Sequence, residues 1–174
     1  MAGSLIKIQE TTVTSAVASV TLTGIDSTYD VYMVKLNNVF ASADDDFKIR
    51  ITKSGTPQTD SNYDRASKDL KTSGTFGNTA GTNQDLIDFS AGIGTSGTNS
   101  HNAIIYCFNF ANSSEYSFIT NENVTTRQDT SDELFGFQGG AVHTVASASD
   151  GLHFFNGSAN NIAGGTFTLY GLKK

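Results

Sequence analysis

The hydrophobic positions of this chain recur with a period of two. Phe47, Ile49 and Ile51 alternate with polar neighbours, the pattern of a strand with one buried and one solvated face. Similar alternation or short apolar runs occur at residues 5–8, 20–24, 31–40, 47–51, 103–111, 116–119, 135–137, 142–145, 152–154 and 167–172. The pattern predicts an all-β fold, and we expect one domain over residues 1–174, an antiparallel two-sheet sandwich of jelly-roll type with about ten strands.

Other stretches modify this picture locally. The run 103–111 is apolar on both faces, which predicts a strand in the middle of a sheet that is covered on both sides. The best helical window, residues 131–136, predicts one turn at most, and Pro57 is expected in a loop. The polar stretches 72–84 and 92–102 are expected to be long loops, which are usually functional or mobile.

Composition and charge exclude several classes of partner. Charged residues make up 16% of the chain, below the usual value of about 25%, and Gly, Ser, Thr and Asn are abundant. A surface solvated by hydroxyls and amides is typical of extracellular and virion β-proteins. The net charge of −6 and the scattered basic residues argue against nucleic acid. No apolar stretch approaches about 20 residues, which argues against membrane insertion.

Cysteine usage and the start of the chain indicate where the protein is made. The single cysteine, Cys107, lies in an apolar run, so we expect a buried thiol and no internal disulfide. Residues 1–4 lead directly into a strand pattern, with no basic start and no apolar segment of a signal peptide. We therefore expect synthesis in a cytoplasm.

Three patterns invite a ligand-binding interpretation. Gly92, Gly94 and Gly97 form a Gly-x-Gly-x-x-Gly, but a β-pattern follows instead of a helix, so a flexible loop is expected rather than a nucleotide site. Asp44, Asp45 and Asp46 could offer oxygen ligands to a cation such as Ca²⁺, although the EF-hand spacing is absent. We expect a solvated turn there and leave the cation open.

The histidines lack the spacing of a zinc site. His101, His143 and His153 form no i, i+4 pair and have no Cys partner close in the sequence. His143 and His153 lie in neighbouring predicted strands and are expected to point outward, at the surface or at an interface. The sequence therefore predicts no metal site and no cofactor.

Catalytic patterns are also missing. No Gly-x-Ser-x-Gly joins a strand to a helix, and a Cys107 buried in apolar surroundings would be a poor nucleophile. Thirteen Asp and four Glu could supply a carboxylate pair for glycoside hydrolysis, but nothing in the sequence selects one. The expectation is that the protein is not an enzyme.

Two segments resemble proteins of tailed bacteriophages. Residues 62–67 (NYDRAS) resemble the YDxA strand of small phage virion domains. Residues 150–155 (DGLHFF) and 161–173 (NIAGGTFTLYGLK) resemble the C-terminal ending of many tail-associated, fibre and head-surface proteins, cyanophage proteins included. These residues have the character of a turn and a closing strand, so the resemblance implies a fold and no active site.

The resemblance implies a virion structural protein on the particle surface, in capsid decoration or in the tail and fibre apparatus, made in the bacterial host cytoplasm. Its partners would be other virion proteins, a host surface glycan, and itself as a homotrimer. Trimerisation is also suggested by aromatic residues near the C-terminus that could exceed what one core absorbs, the alternative being that all are core: Phe135, Phe137, Phe154, Phe155, Phe167 and Tyr170. The alternatives are a free lectin-like carbohydrate-binding module and, less favoured, a glycan-degrading enzyme.

Overall fold

The structure, a computed structural model, describes residues 4–127 and 133–173. Strands dominate this part of the chain. They are β1 (Ser4–Val13), β2 (Ser19–Thr23), β3 (Val31–Ala41), β4 (Asp45–Lys53), β5 (Thr56–Pro57), β6 (Tyr63–Lys71), β7 (Gly77–Gln84), β8 (Ile87–Ile93), β9 (His101–Phe108), β10 (Ser117–Arg127), β11 (Glu133–His143), β12 (Gly151–Asn156) and β13 (Ile162–Lys173). A short 3-10 turn, Gly97–Asn99, is the only helical element among the described residues, and no helix there could span a membrane.

The strands form two antiparallel sheets packed as a sandwich. Sheet A has eight strands in the order β1-β13-β3-β9-β10-β11-β6-β7. Sheet B has the order β2-β12-β4-β5, and β8 also pairs with β4. The all-β sandwich predicted from the period-two pattern is confirmed, with thirteen strands in the described residues in place of about ten. The jelly-roll connectivity stays a prediction.

The core lies between the inner faces of the two sheets. Phe47 of sheet B is fully buried and stacks on Phe154 at a ring-centroid distance of 6.0 Å. It also contacts Phe167 of sheet A at 6.3 Å, so aromatic rings bridge the two layers. The alternation seen in the sequence places these side chains together because successive residues of a strand point to opposite faces.

The segments that carry the phage resemblance make hydrogen bonds between the sheets and within sheet B. Tyr63 is fully buried, and its hydroxyl accepts from the amide of Ile51 (3.1 Å) and donates to the carbonyl of Gln58 (3.0 Å). Burial raises the pKa of Tyr63 to about 12, so the hydroxyl keeps its proton. The Asp150 carboxylate accepts from the Thr52 hydroxyl (2.7 Å) and from a backbone amide of the following turn (2.8 Å).

Several local predictions are wrong in whole or in part. The stretch 72–84 is a turn followed by β7, which pairs with β6, whereas 92–102 is a loop over residues 94–100 only, between the ends of β8 and β9. Pro57 belongs to the two-residue strand β5. Within the helical window 131–136, residues 133–136 lie in β11, while 131 and 132 lie outside the described residues.

The apolar run 103–111 is partly as expected. Its strand β9 lies in the middle of sheet A, between β3 and β10, as predicted. Its second face is not covered: Ala103, Ile105 and Cys107 are buried against sheet B, whereas Ile104 is 41% exposed. The expectation of two covered faces is therefore wrong for the single chain.

Candidate interaction surface

The side of sheet A that points away from sheet B, called here the outer face, is the most distinctive surface of the molecule. Successive residues of a strand point to opposite faces of the sheet, so the burial of Ala103 and Ile105 places Ile104 on the outer face. The burial of Leu36 places Lys35 there in the same way. The register pairs Ile104 with Lys35 on β3 and with Glu122 on β10. These three side chains therefore lie side by side at the centre of the sheet.

Exposed apolar side chains lie on the outer face. The exposed fractions of Ile104, Phe118 and Val124 are 41%, 42% and 41%. Ile104 and Val124 line a groove of ≈ 410 Å³ that runs between the outward side chains of β3 and β10, whereas Phe118 lies farther along β10, opposite Phe108 of β9. Exposed apolar side chains on one face of an otherwise polar protein favour an interaction site there.

A row of charged and polar residues crosses the outer face through Ile104; it is called here the central row. The cross-strand register gives its order from β1 to β6: Glu10, Thr168, Lys35, Ile104, Glu122, Gln138 and Lys68. Acidic and basic side chains alternate along it, with Ile104 in the middle.

The two charges beside Ile104 are weakly engaged. Lys35 is exposed and makes no ion pair or hydrogen bond with a described residue. Glu122 is exposed and accepts one hydrogen bond, from the Gln138 side-chain amide at 2.7 Å. Both charges are therefore available to a partner that docks on the outer face.

Sheet B presents a different external surface. Its Arg50 guanidinium pairs with the Asp85 carboxylate (2.9 Å) and lies 4.8 Å from the ring centroid of Phe155. Arg65 forms an ion pair with Asp88 at the margin between β6 and β8. Arg50 and Arg65 are therefore both paired with carboxylates of the chain, unlike Lys35 on the outer face of sheet A.

The acidic triplet has a structural role. Asp45 is buried, against the expectation of a solvated turn, and its carboxylate accepts from the Ser158 amide (2.8 Å) and the Asn160 side chain (3.1 Å). Asp46 accepts from the Gly92 amide at 3.2 Å. The two carboxylates hold neighbouring turns, and no group of three or more His, Cys, Asp or Glu residues in the described part of the chain could hold a metal ion.

The histidines lie apart from one another. His143 is buried against the Tyr63 ring at 5.0 Å, so the prediction that it points outward is wrong. His153 lies in sheet B, where its Nδ1 is 2.8 Å from the Thr21 hydroxyl. Burial lowers the pKa of both imidazoles, and for His101, fully enclosed near Phe47, burial lowers the pKa to about 3.

The glycine motif forms no phosphate cradle. Gly92 ends β8 with a positive φ of 62°, a conformation that favours glycine. Gly94 packs so closely against Asn99 that a Cβ would lie 2.0 Å from its carbonyl oxygen. The glycines fold a tight corner before β9, and the 3-10 turn that follows has only three residues.

The other candidates are core residues. Cys107 is buried, as predicted, and burial raises the pKa of its thiol. Of the six C-terminal aromatics, four are buried, and the other two, Phe155 and Tyr170, are half-buried: the buried four are Phe135, Phe137, Phe154 and Phe167. The aromatics therefore fill the core for the most part, and a homotrimer stays a prediction.

Sequence reasoning missed Lys35, Ile104 and Glu122 as a group. The signal was present in β9, whose outward side chains include Ile104, Tyr106 and Phe108, although the described part of the chain leaves Ile104 exposed. A strand that is apolar on both faces indicates either a second layer or a partner. The register that aligns the three residues could not be known before the strand order.

Comparison with known proteins adds no family. No protein-family model matches this chain, and no curated protein matches it significantly.

Proposed function

We propose that this protein is a structural component of a bacteriophage particle, displayed on its surface in capsid decoration or in the tail apparatus. In this proposal it is made in the cytoplasm of the bacterial host and has no catalytic role. It would act by assembling with other protein subunits, copies of itself included, with the outer face of sheet A as the docking surface.

The uncovered apolar outer face carries this proposal. Ile104, Phe118 and Val124 are exposed on a chain whose surface is otherwise rich in hydroxyls and amides. Exposed apolar side chains have a favourable free energy of burial, about 25 cal/mol for each Å² removed from water. A subunit gains this free energy when its exposed apolar side chains are buried during assembly of the particle.

The residues of the phage-like segments support the same proposal. Tyr63 and Phe167 make the hydrogen bonds and ring contacts that join the two sheets, and Asp150 makes a hydrogen bond to Thr52 of sheet B. Residues with these roles stabilise a scaffold. A stable scaffold with an uncovered apolar face suits a structural subunit better than an enzyme.

The decisive test is the position of the chain in purified particles. Particles of the phage that encodes it should contain the protein in stoichiometric amount by mass spectrometry. Cryo-electron microscopy should show a two-sheet domain on the outside of the head or tail. Absence of the chain from every particle fraction would contradict the proposal.

A matched pair of variants tests the docking surface on the particle. Ile104→Asp places a charge at the centre of the outer face, whereas Phe76→Asp changes another exposed apolar residue outside that face. We expect the first variant to be lost from the particles and the second to be retained. Equal retention of the two folded variants would show that another surface docks.

A further inference from the structure

We infer that the partner of the outer face is a second copy of the same face, related by a two-fold axis that runs along β9 above Ile104. The inference rests on the proposed function in one respect, because it names the partner of the docking surface proposed there. It follows from the order of charges in the central row.

The central row is self-complementary under this rotation. A two-fold axis along β9 exchanges β3 with β10, so Lys35 faces Glu122 of the partner subunit, and the same pair forms again on the other side of the axis. The same rotation places β13 opposite the partner's β11 and β1 opposite the partner's β6. Glu10 of β1 therefore faces the partner's Lys68. Each charge of the row meets an opposite charge.

The charges also exclude the other face-to-face arrangement. A two-fold axis perpendicular to the strands along the central row would leave every strand opposite itself. Lys35 would then face the partner's Lys35, and Glu122 the partner's Glu122. Like charges in contact disfavour an interface, so the row selects the axis along β9.

The apolar positions fit the same axis. Ile104 meets the partner's Ile104 on the axis, and Val31 meets the partner's Phe118, because both lie in one row with Phe108. Tyr170 meets the partner's Gly140, a position without a side chain, where a ring has room. Apolar side chains thus meet along the axis, and Lys35 and Glu122 flank Ile104 on its two sides.

The size of the face is sufficient. Five central strands at about 4.8 Å spacing and eight residues at about 3.3 Å rise cover roughly 600 Å² in projection. The accessible area is larger than its projection and approaches the roughly 800 Å² that each partner of a standard interface buries. An axis along β9 keeps β9 parallel to the partner's β9, and aligned sheets pack with strand directions within about 30° of each other.

Sedimentation velocity of the wild-type chain and its charge variants tests the inference. Lys35→Glu and Glu122→Lys each create two like-charge contacts, and we expect each to weaken dimerisation about tenfold or more. The double variant Lys35→Glu/Glu122→Lys exchanges the charges and restores complementarity, so its Kd should return close to the wild-type value. Both positions are exposed, and circular dichroism should show that all variants fold.

The control is Phe76→Asp, which changes an exposed apolar side chain elsewhere and should leave the Kd unchanged. A wild-type monomer at about 100 μM, far above the Kd of a standard interface, would overturn the inference, as would a trimer. Failure of the double variant to restore association would overturn the axis. A monomer in solution that is nevertheless found on particles would overturn this inference alone, and a dimer that is absent from particles would overturn only the proposed function.

Discussion

At the scale of single residues, the most unusual group is the imidazole of His101. It is fully buried, with its ring centroid 5.7 Å from that of Phe47 and 5.3 Å from that of Phe89. Neither ring nitrogen has a hydrogen-bond partner among the described residues. Burial alone lowers its pKa from 6.5 to about 3, so the folded protein holds this histidine neutral.

A buried neutral histidine makes stability depend on pH. Between pH 6.5 and about 3 the unfolded chain binds a proton at His101 that the folded chain does not bind, so the unfolding free energy falls with decreasing pH. From pH 7 to pH 4.5 the loss due to this residue should be about 2 to 3 kcal/mol. Urea unfolding at the two pH values should show a loss smaller by that amount in His101→Leu.

The same comparison contains its own control. His143 and His153 are present in the wild-type chain and in the variant, so their contributions cancel. An equal loss of stability in the two proteins would mean that His101 is protonated in the folded state or reaches solvent.

At the scale of elements, an alternating apolar pattern predicted strands such as β4, whereas β7, which lacks that pattern, was expected to be a loop. In β4, Phe47, Ile49 and Ile51 point into the core, as the period of two indicated. In β7 (Gly77–Gln84), by contrast, no side chain is large and apolar, and the strand is held by its backbone ladder to β6. A ladder partner is a tertiary property, so the local sequence indicated a loop.

Close strand approach also depends on particular glycines. Gly151 begins β12 where a Cβ would lie 1.9 Å from the Leu22 carbonyl oxygen on β2. Gly151→Ala should therefore separate β12 from β2 and lower the unfolding free energy by about 1–3 kcal/mol, measured by urea unfolding. Gly97→Ala is the matched control, since a Cβ at Gly97 would have no atom within 4 Å. A variant at Gly151 as stable as that at Gly97 would contradict the close approach.

At the scale of the whole molecule, sheet A is completed by strands distant in the sequence. The last strand, β13, lies between β1 and β3, and it contributes the fully buried Ile162, Phe167 and Leu169. The strand β1 lies at the sheet edge and contributes Val13 as its one buried apolar residue. The two terminal strands therefore differ in their importance for folding.

Truncation should reveal this difference. Removal of residues 162–173 deprives the core of three buried side chains and leaves β1 without a neighbour, so we expect an unfolded chain by circular dichroism. Removal of residues 1–13 takes away an edge strand, and we expect a folded domain with a lower Tm. Retained folding after the first truncation would show that the two layers close without β13.

The strand order also explains why the candidate surface could not be predicted from the sequence. The residues Lys35, Ile104 and Glu122 are far apart in the chain and become neighbours only through the register of β3, β9 and β10. The sequence pattern predicted strands at β3, β9 and β10, and it showed that β9 has apolar residues on both of its faces. The alternation of charge across the sheet is visible only once the strands are ordered.

The pairing of Ser4 with Lys173 brings the two ends of the described chain together at one corner of sheet A. That corner borders the outer face, because Leu5 and Leu172 line a groove there together with Tyr106. An affinity tag or fluorescent protein fused to either terminus would emerge at this corner and obstruct the surface. Measurements of self-association should therefore use protein from which every tag has been cleaved, since a fusion would give a monomer for reasons unrelated to the native surface.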